Sequence, residues 1–391
     1  MLKILLALAV GIPGPLLRLL GVKLAPVPAI AVFGSAVVAS AFLLVWAAEA
    51  VQHDISSSLS TTILAVIAVL PEYAVDLFFA WSAGHVPEHA HYTAANMTGS
   101  NRLLLGLGWP FVVLLFVFGA RRRGQRKSGI VLREARRVDL GFLGVASLYS
   151  LVIPFTRRLA WYDAAVLLAI FAAYLWRAAQ GRQEEPELVG VAKQIGDLRR
   201  PVRRAAVIAL MLVATGIVLA ASGPFAHALV EGGRELGVDE FMLVQWLAPL
   251  SSESPELLVA GVLALRGHQD VALGTLLSAK VNQWTLLVGS LPIAYLIGGG
   301  SGGIALDGRQ TEEFILTAAQ TLLGFAFLAD LRLGVREAIA LLLLFALQFP
   351  FPRPEVRIGF ALAYAMLAVA LLVRHRRELP LIARATFTPA A

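Results

Sequence analysis

The sequence predicts an all-α polytopic membrane protein, and three observations carry that expectation. Of 391 residues, 58% are hydrophobic and 15% are charged, where soluble domains carry about 25% charged residues. Apolar stretches of about 20 residues, the length that crosses a hydrocarbon core, recur roughly twelve times. A Pro-Glu pair inside one such stretch returns in another, at Pro71-Glu72 and Pro255-Glu256. A net charge of +7 on so apolar a chain fits basic flanks beside a lipid bilayer and argues against a nucleic-acid partner. Cysteine is absent, which excludes disulfides, thiolate-bound metals and cysteine nucleophiles.

In chain order the predicted spans are 4–21, 28–51, 60–83, 92–119, 139–155, 161–176, 204–222, 240–265, 269–298, 312–330, 335–350 and 357–373. They are read as helices because a lipid-embedded helix satisfies its backbone groups within itself. The first follows Lys3 as the core of a signal peptide would. It runs on past Pro13 and Pro15 without a small-residue cleavage site, and is read as a helix.

Lys and Arg mark cytoplasmic loops. A cytoplasmic N-terminus gathers Lys3, Arg121–Arg137, Arg177–Arg204, Arg266, Arg332, Arg336 and the basic tail on one side. Lys23, Arg157, Arg158, Arg234, Arg309, Arg353 and Arg357 fall on the other, and Arg18, Arg102 and Lys280 lie inside spans. An even number of spans with both termini cytoplasmic satisfies this division. The run Arg121–Lys127 is then a topology signal touching anionic headgroups. The polar stretch around Glu184, Glu185, Pro186 and Glu187 reads as a solvated linker. The expected organisation is an extra helix at 1–27, a first half at 28–177, a cytoplasmic linker at 178–203, a second half at 204–350, and an extra helix and tail at 351–391.

The two Pro-Glu pairs belong to an internal repeat. Gly84-His85 follows the first after eleven residues and Gly267-His268 follows the second after ten. Each copy leads into a span with small and polar residues, Thr93–Asn101 in the first and Gly274–Lys280 in the second. Five spans separate the starting points, so the copies enter the membrane from opposite faces, the inverted arrangement of many secondary transporters. A mid-membrane glutamate is costly to bury and normally faces a cavity, a partner or an ion. Pro71 and Pro255 lack a backbone donor and are expected to break their helices, freeing carbonyl oxygens beside Glu72 and Glu256. Carboxylate, carbonyl and hydroxyl oxygens suit hard cations. Asp76, one turn after Glu72, reads as a second ligand or as a partner for Arg102, and Glu253 is similarly ambiguous. His85, Glu88, His89 and His91 read as a solvated or pH-sensitive loop rather than a metal site.

At these residues the sequence resembles the calcium/cation antiporter superfamily of sodium/calcium and calcium/proton exchangers, over about residues 28–350. In that family each repeat carries Gly-Thr-Ser-x-Pro-Glu on one helix and Gly-Ser-Asn-x-x-Asn or Asp on the next. Pro71-Glu72, Gly99-Ser100-Asn101, Ser252 and Pro255-Glu256 match. The resemblance implies inverted five-plus-five helix repeats of sodium/calcium exchanger type with two extra flanking helices. It further implies Glu72 and Glu256 as the metal ligands, with Ser100, Asn101, Ser252 and Gln283 completing the cavity. Departures are Ala68 and Val69 for the first Thr-Ser, Glu253 at the second serine position, Leu104 and Gln283 at the final polar positions, and Ser278-Ala279-Lys280 for Gly-Ser-Asn.

Lys280 is therefore either a built-in cation that shifts the protein toward proton-coupled or monovalent exchange, or a side chain that snorkels to an interface. The expected function is a secondary antiporter with no cofactor, moving inorganic cations by alternating access and exchanging Ca2+ for Na+ or H+. A Na+/H+ exchanger is the second reading, and a transport-dead sensor or a lipid enzyme are readings of other classes. No phosphate-binding motif for ATP is evident. The absence of a long regulatory domain and of a cleavable leader suits a bacterial inner membrane. The oligomeric state is left open.

Overall fold

The computed structural model describes residues 2–51, 70–180, 188, 190–348 and 353–388. Each predicted span is mainly helical where it is described, with a bend at Ile12, turns at Leu151 and Val152, and turns at several span ends. The helices are α1 (Leu2–Gly11), α2 (Pro13–Leu19), α3 (Pro26–Val51), α4 (Leu70–His85), α5 (Ala90–Leu103), α6 (Trp109–Arg122), α7 (Arg137–Ser150), α8 (Ile153–Thr156) and α9 (Trp161–Ala178). After the linker come α10 (Gly190–Gly196), α11 (Arg200–Leu236), α12 (Glu240–Arg266), α13 (Gln269–Asn282), α14 (Val288–Ile297), α15 (Gly308–Leu328), α16 (Val335–Ala346), α17 (Pro354–Arg374) and α18 (Leu379–Phe387). Among the described residues, six helical runs are long and apolar enough to cross a bilayer: Leu2–Leu19, Pro26–Ala50, Pro87–Arg122, Glu134–Thr156, Arg200–Leu236 and Pro354–Arg374. The protein is an integral membrane protein. Residues 60–69 of the third predicted span, Glu184, Glu185, Pro186 and Glu187 of the linker, and the end of the span at 335–350 lie outside the described residues.

Local chemistry explains most departures from the predicted spans. The first span is two helices parted at Ile12, where Pro13 restarts the turn without an amide donor. The span at 269–298 is interrupted by a π turn, as is the span at 92–119. The short helices α10 and α18 were not expected, being too brief to cross a membrane.

Contacts divide the chain into two compact units, Met1–Phe79 with Arg182–Glu256, and Ala80–Gly181 with Leu257–Ala391. In the first, α3 and α11 pack along one another through small residues. A Cβ on Gly34 would lie 2.9 Å from the Phe225 ring, so glycine is what lets that ring approach. Pro224 interrupts the amide series of α11. Arg18 of α2 donates to the Ala220 carbonyl at 2.6 Å, the acceptor that the missing Pro224 amide would otherwise have served.

The second unit displays the repeat as geometry. Strand β1 (Gly129–Val131) pairs antiparallel with β4 (Arg332–Gly334), and β2 (Arg158–Leu159) with β3 (Ile304–Ala305). Each pair joins a strand of one half to a strand of the other, and exchanging the halves converts one pair into the other. This is the pairing a two-fold relation demands. The detail extends to single residues. Arg157 and Leu331 are the non-glycine residues with positive φ among those described, at 51° and 62°. Each precedes its strand and accepts from the other half, Leu306 N to Arg157 O at 3.0 Å and Leu132 N to Leu331 O at 2.8 Å.

Matched glycines also lock the halves. A Cβ on Gly298 would sit 2.1 Å from the Trp81 carbonyl oxygen, and one on Gly119 would sit 2.5 Å from that of Leu265. These obstacles are backbone, which cannot rotate away. Gly298→Ala is expected to cost about 1–3 kcal/mol through overpacking, read as a lowered melting temperature of the detergent-solubilised protein. An unshifted melting curve would mean that the two helix ends separate freely.

Candidate functional site

The acidic residues singled out in the sequence, Glu72, Asp76, Glu253 and Glu256, all belong to the first unit. Glu72 lies in the described first turn of α4 and is buried, and Asp76 one turn later is fully buried. On α12, Glu253 and Ser252 are buried and Glu256 is half-buried. The Glu72 carboxylate is close enough to Glu256 to act on it electrostatically, and Glu72 and Asp76 both act on the buried Tyr73 hydroxyl. Both repeat glutamates lie in the same compact unit. Ser252 stands one turn before Glu256 on the same face, and the buried Gln245 stands two turns further back. The Ser252 hydroxyl donates to the Ala248 and Pro249 carbonyls at 3.3 and 3.2 Å.

The expectation of a helix break at Pro255 is corrected: α12 runs unbroken from Glu240 to Arg266. A proline removes one amide donor, and flanking turns can hold the helical path with a local kink. The Ser251 carbonyl, four residues earlier, receives the Ser254 hydroxyl at 3.4 Å instead. The residues before Leu70, including Ala68 and Val69, lie outside the described residues, so the break expected at Pro71 does too. Asp76 follows its glutamate while Glu253 precedes its own.

The second unit holds the polar helices. Thr93, Asn96, Thr98, Ser100, Asn101 and Arg102 are all buried on α5. Ser100 and Asn101 donate to the Met97 carbonyl, at 3.3 and 3.0 Å. The chain then enters a π turn at Leu104–Gly108, and α13 does the same at Gln283–Leu287. π turns concentrate at functional sites because the widened turn releases backbone groups from the regular ladder. Gln283 opens the second turn and is buried. Lys280 holds the register position of Asn101, three residues before its π turn, and is 0% exposed. Its ammonium donates to the Asn101 side-chain oxygen at 2.9 Å and to the Asn101 carbonyl. Snorkelling to an interface is thereby ruled out.

Arg102, considered in the sequence as a partner for Asp76, forms a buried ion pair with Glu313 and donates to Gln348. The matching acid of the first half, Asp139, accepts from Ser278 at 3.1 Å and from Tyr174 at 2.6 Å. Each half thus sends an acid to the other half's polar helix. Glu313, Asn96 and Asn282 are buried polar residues that sequence reasoning left out of the site. Asn96 lay within the polar run already noted, and its position four residues before Ser100 was the available signal. His85 and Glu88 are exposed and His89 and His91 partly so, and His89 Nδ1 lies 2.6 Å from the Ser82 hydroxyl. Among the described residues no cluster of three His, Asp or Glu is poised for a metal.

A family profile described as "Sodium/calcium exchanger protein" matches residues 26–179 and 206–351. The chain belongs to this family. Among exchangers of known structure, one described as H+/Ca2+ exchanger CAX is 37% identical, covers 98% of each chain and superposes with a TM-score of 0.93. YfkE, at 17% identity over 93% of this chain and 99% of that one, superposes with a TM-score of 0.62. The sodium-calcium exchanger NCX_Mj gives 16%, 88%, 100% and 0.53 respectively. These last two show a common exchanger fold, all-α with inverted repeats. CaxA of Alkalimonas amylolytica is 27% identical over 125 residues, a stretch that spans 37% of that relative's length.

Proposed function

We propose that this chain is a secondary antiporter that moves Ca2+ against H+ through Glu72 and Glu256, working by alternating access. What supports the reading is that both repeat glutamates lie in one compact unit, with Glu72 near enough to act electrostatically on Glu256. Two carboxylates withdrawn from water cannot both stay charged and empty without a large penalty. One calcium ion neutralises them, and so do two protons. Exchange of one state for the other lets a site cross between membrane faces without carrying a bare charge. Calcium takes oxygen ligands readily, and Ser252 on the face of Glu256 supplies one. The 37% identity to a structure described as an H+/Ca2+ exchanger supports the proton as counter-ion.

Both termini are assigned to the cytoplasm of a bacterial plasma membrane, on the basic loops. In reconstituted vesicles, an imposed pH gradient is expected to drive labelled calcium uptake, and dissipating the gradient with a protonophore to stop it. Calcium uptake that ignores the pH gradient and follows a sodium gradient would transfer the counter-ion role to sodium. Exchange of sodium for protons without calcium would overturn the reading.

A further inference from the structure

We infer that Lys280 is a tethered monovalent cation seated on the oxygens of Asn101, and that it closes this exchanger to sodium. The inference rests on the antiporter reading above. Its footing is geometric. Asn101 and Lys280 lie 179 residues apart, and the π turns that follow them, beginning at Leu104 and Gln283, keep that same separation. The two residues are thus the same position of the two repeats, and they touch each other. In a two-fold arrangement only residues beside the axis can meet their own equivalents.

A symmetric pair of asparagines at that point would present amide and main-chain oxygens from both sides, a neutral set suited to a small cation. In this chain one asparagine is kept and the other is replaced by an ammonium. That ammonium sits on both oxygens the remaining residue offers, Oδ1 at 2.9 Å and the main-chain carbonyl. It also stands 5.8 Å from the centre of the Trp284 ring, whose indole N–H is held by the Thr321 hydroxyl at 2.8 Å. A ring face favours a cation, and a fixed indole keeps that face in place. With 0% exposure, the Lys280 charge has no water to screen it. A sodium ion arriving at Asn101 would find its ligands occupied and a like charge in their place, a repulsion that low dielectric strengthens. An ammonium on a covalent stem cannot dissociate. The monovalent position is therefore always filled, and the only ions left to exchange are those of the carboxylate pair.

The test compares wild type with Lys280→Asn and Lys280→Gln, all purified in sodium and then exchanged into choline. In wild-type vesicles, sodium in place of choline should leave proton-driven calcium uptake unchanged. In the neutral variants sodium should lower that uptake about tenfold by competition, equivalent to about 1.4 kcal/mol, and sodium should raise the melting temperature where choline does not. The melting measurement needs no transport. Neutral variants that fold equally in both salts and ignore sodium would overturn the inference, as would a wild type that sodium inhibits or stabilises. Variants that fail to fold even in sodium would overturn it too, since a charge that only fills a sodium position is replaceable by sodium. A wild type that takes up no calcium under a pH gradient sinks the antiporter reading instead, and the sodium-dependent melting still decides the role of Lys280.

Discussion

Glu256→Gln is expected to reduce calcium exchange at least about a hundredfold, which corresponds to about 2.7 kcal/mol. The substitution keeps size and hydrogen-bonding atoms but removes the charge. A calcium ion between a carboxylate and an amide is then left with an unmatched positive charge out of water, and a proton has one carboxylate fewer to neutralise. Both halves of the cycle fail for the same reason. Glu72→Gln is expected to be as damaging, and the double variant hardly worse than either single one, because groups that act as a unit do not contribute additively. Asp76→Asn should be milder, since its carboxylate lies one turn from the pair. Uptake of labelled calcium into vesicles, normalised to folded protein by size-exclusion profile, reads all four. A Glu256→Gln exchanger that keeps more than a tenth of wild-type uptake would remove this residue from the centre of the proposal.

The spans were legible because bilayer thickness writes itself into sequence as runs of apolar residues, and described helices stand at each predicted position. The recurrence of Glu72 as Glu256 was legible for a different reason. A carboxylate in such a run is costly enough that its recurrence at a matched place carries information. The π turns were not legible, since Leu104–Gly108 reads as any apolar helix and the widened turn shows only in backbone hydrogen bonding. Nor was the partner of Arg102. Glu313 stands at the edge of the span predicted at 312–330, where an acid is ordinary, and only folding brings it across 211 residues to the guanidinium. The break expected at Pro255 failed because a proline removes one hydrogen bond from a helix whose flanking turns keep theirs. Lys280 was visible as an anomaly, but its choice between an interface and the interior depended on finding Asn101 opposite.

The Arg102–Glu313 pair predicts the largest effect on stability. The side chains are 4% and 5% exposed, so neither charge can fall back on water if the other is removed. Glu313→Gln takes the carboxylate away from the Arg102 guanidinium, and also takes away the carboxylate 3.9 Å from Arg357. Arg357 keeps Glu312, one oxygen of which accepts from its Nη2 and Nε at 2.7 and 2.9 Å, so the loss falls on Arg102. The expected cost is about 3–5 kcal/mol, seen as a lowered denaturation midpoint or as failure to fold. Arg102→Met alone should cost a similar amount by stranding the carboxylate. The double variant Arg102→Met with Glu313→Leu should recover most of the loss, because two apolar side chains need no partner at all. The network reaches further, since Gln348 also donates to the Tyr364 hydroxyl of α17, a helix outside the predicted repeats. Removing Arg102 should therefore loosen α17 as well, visible as faster amide exchange around Tyr364 in the single variant. If the double variant were no more stable than either single one, the pair would be holding a shape that apolar packing cannot reproduce, and its place beside Asn101 would then be structural in a stricter sense than charge balance.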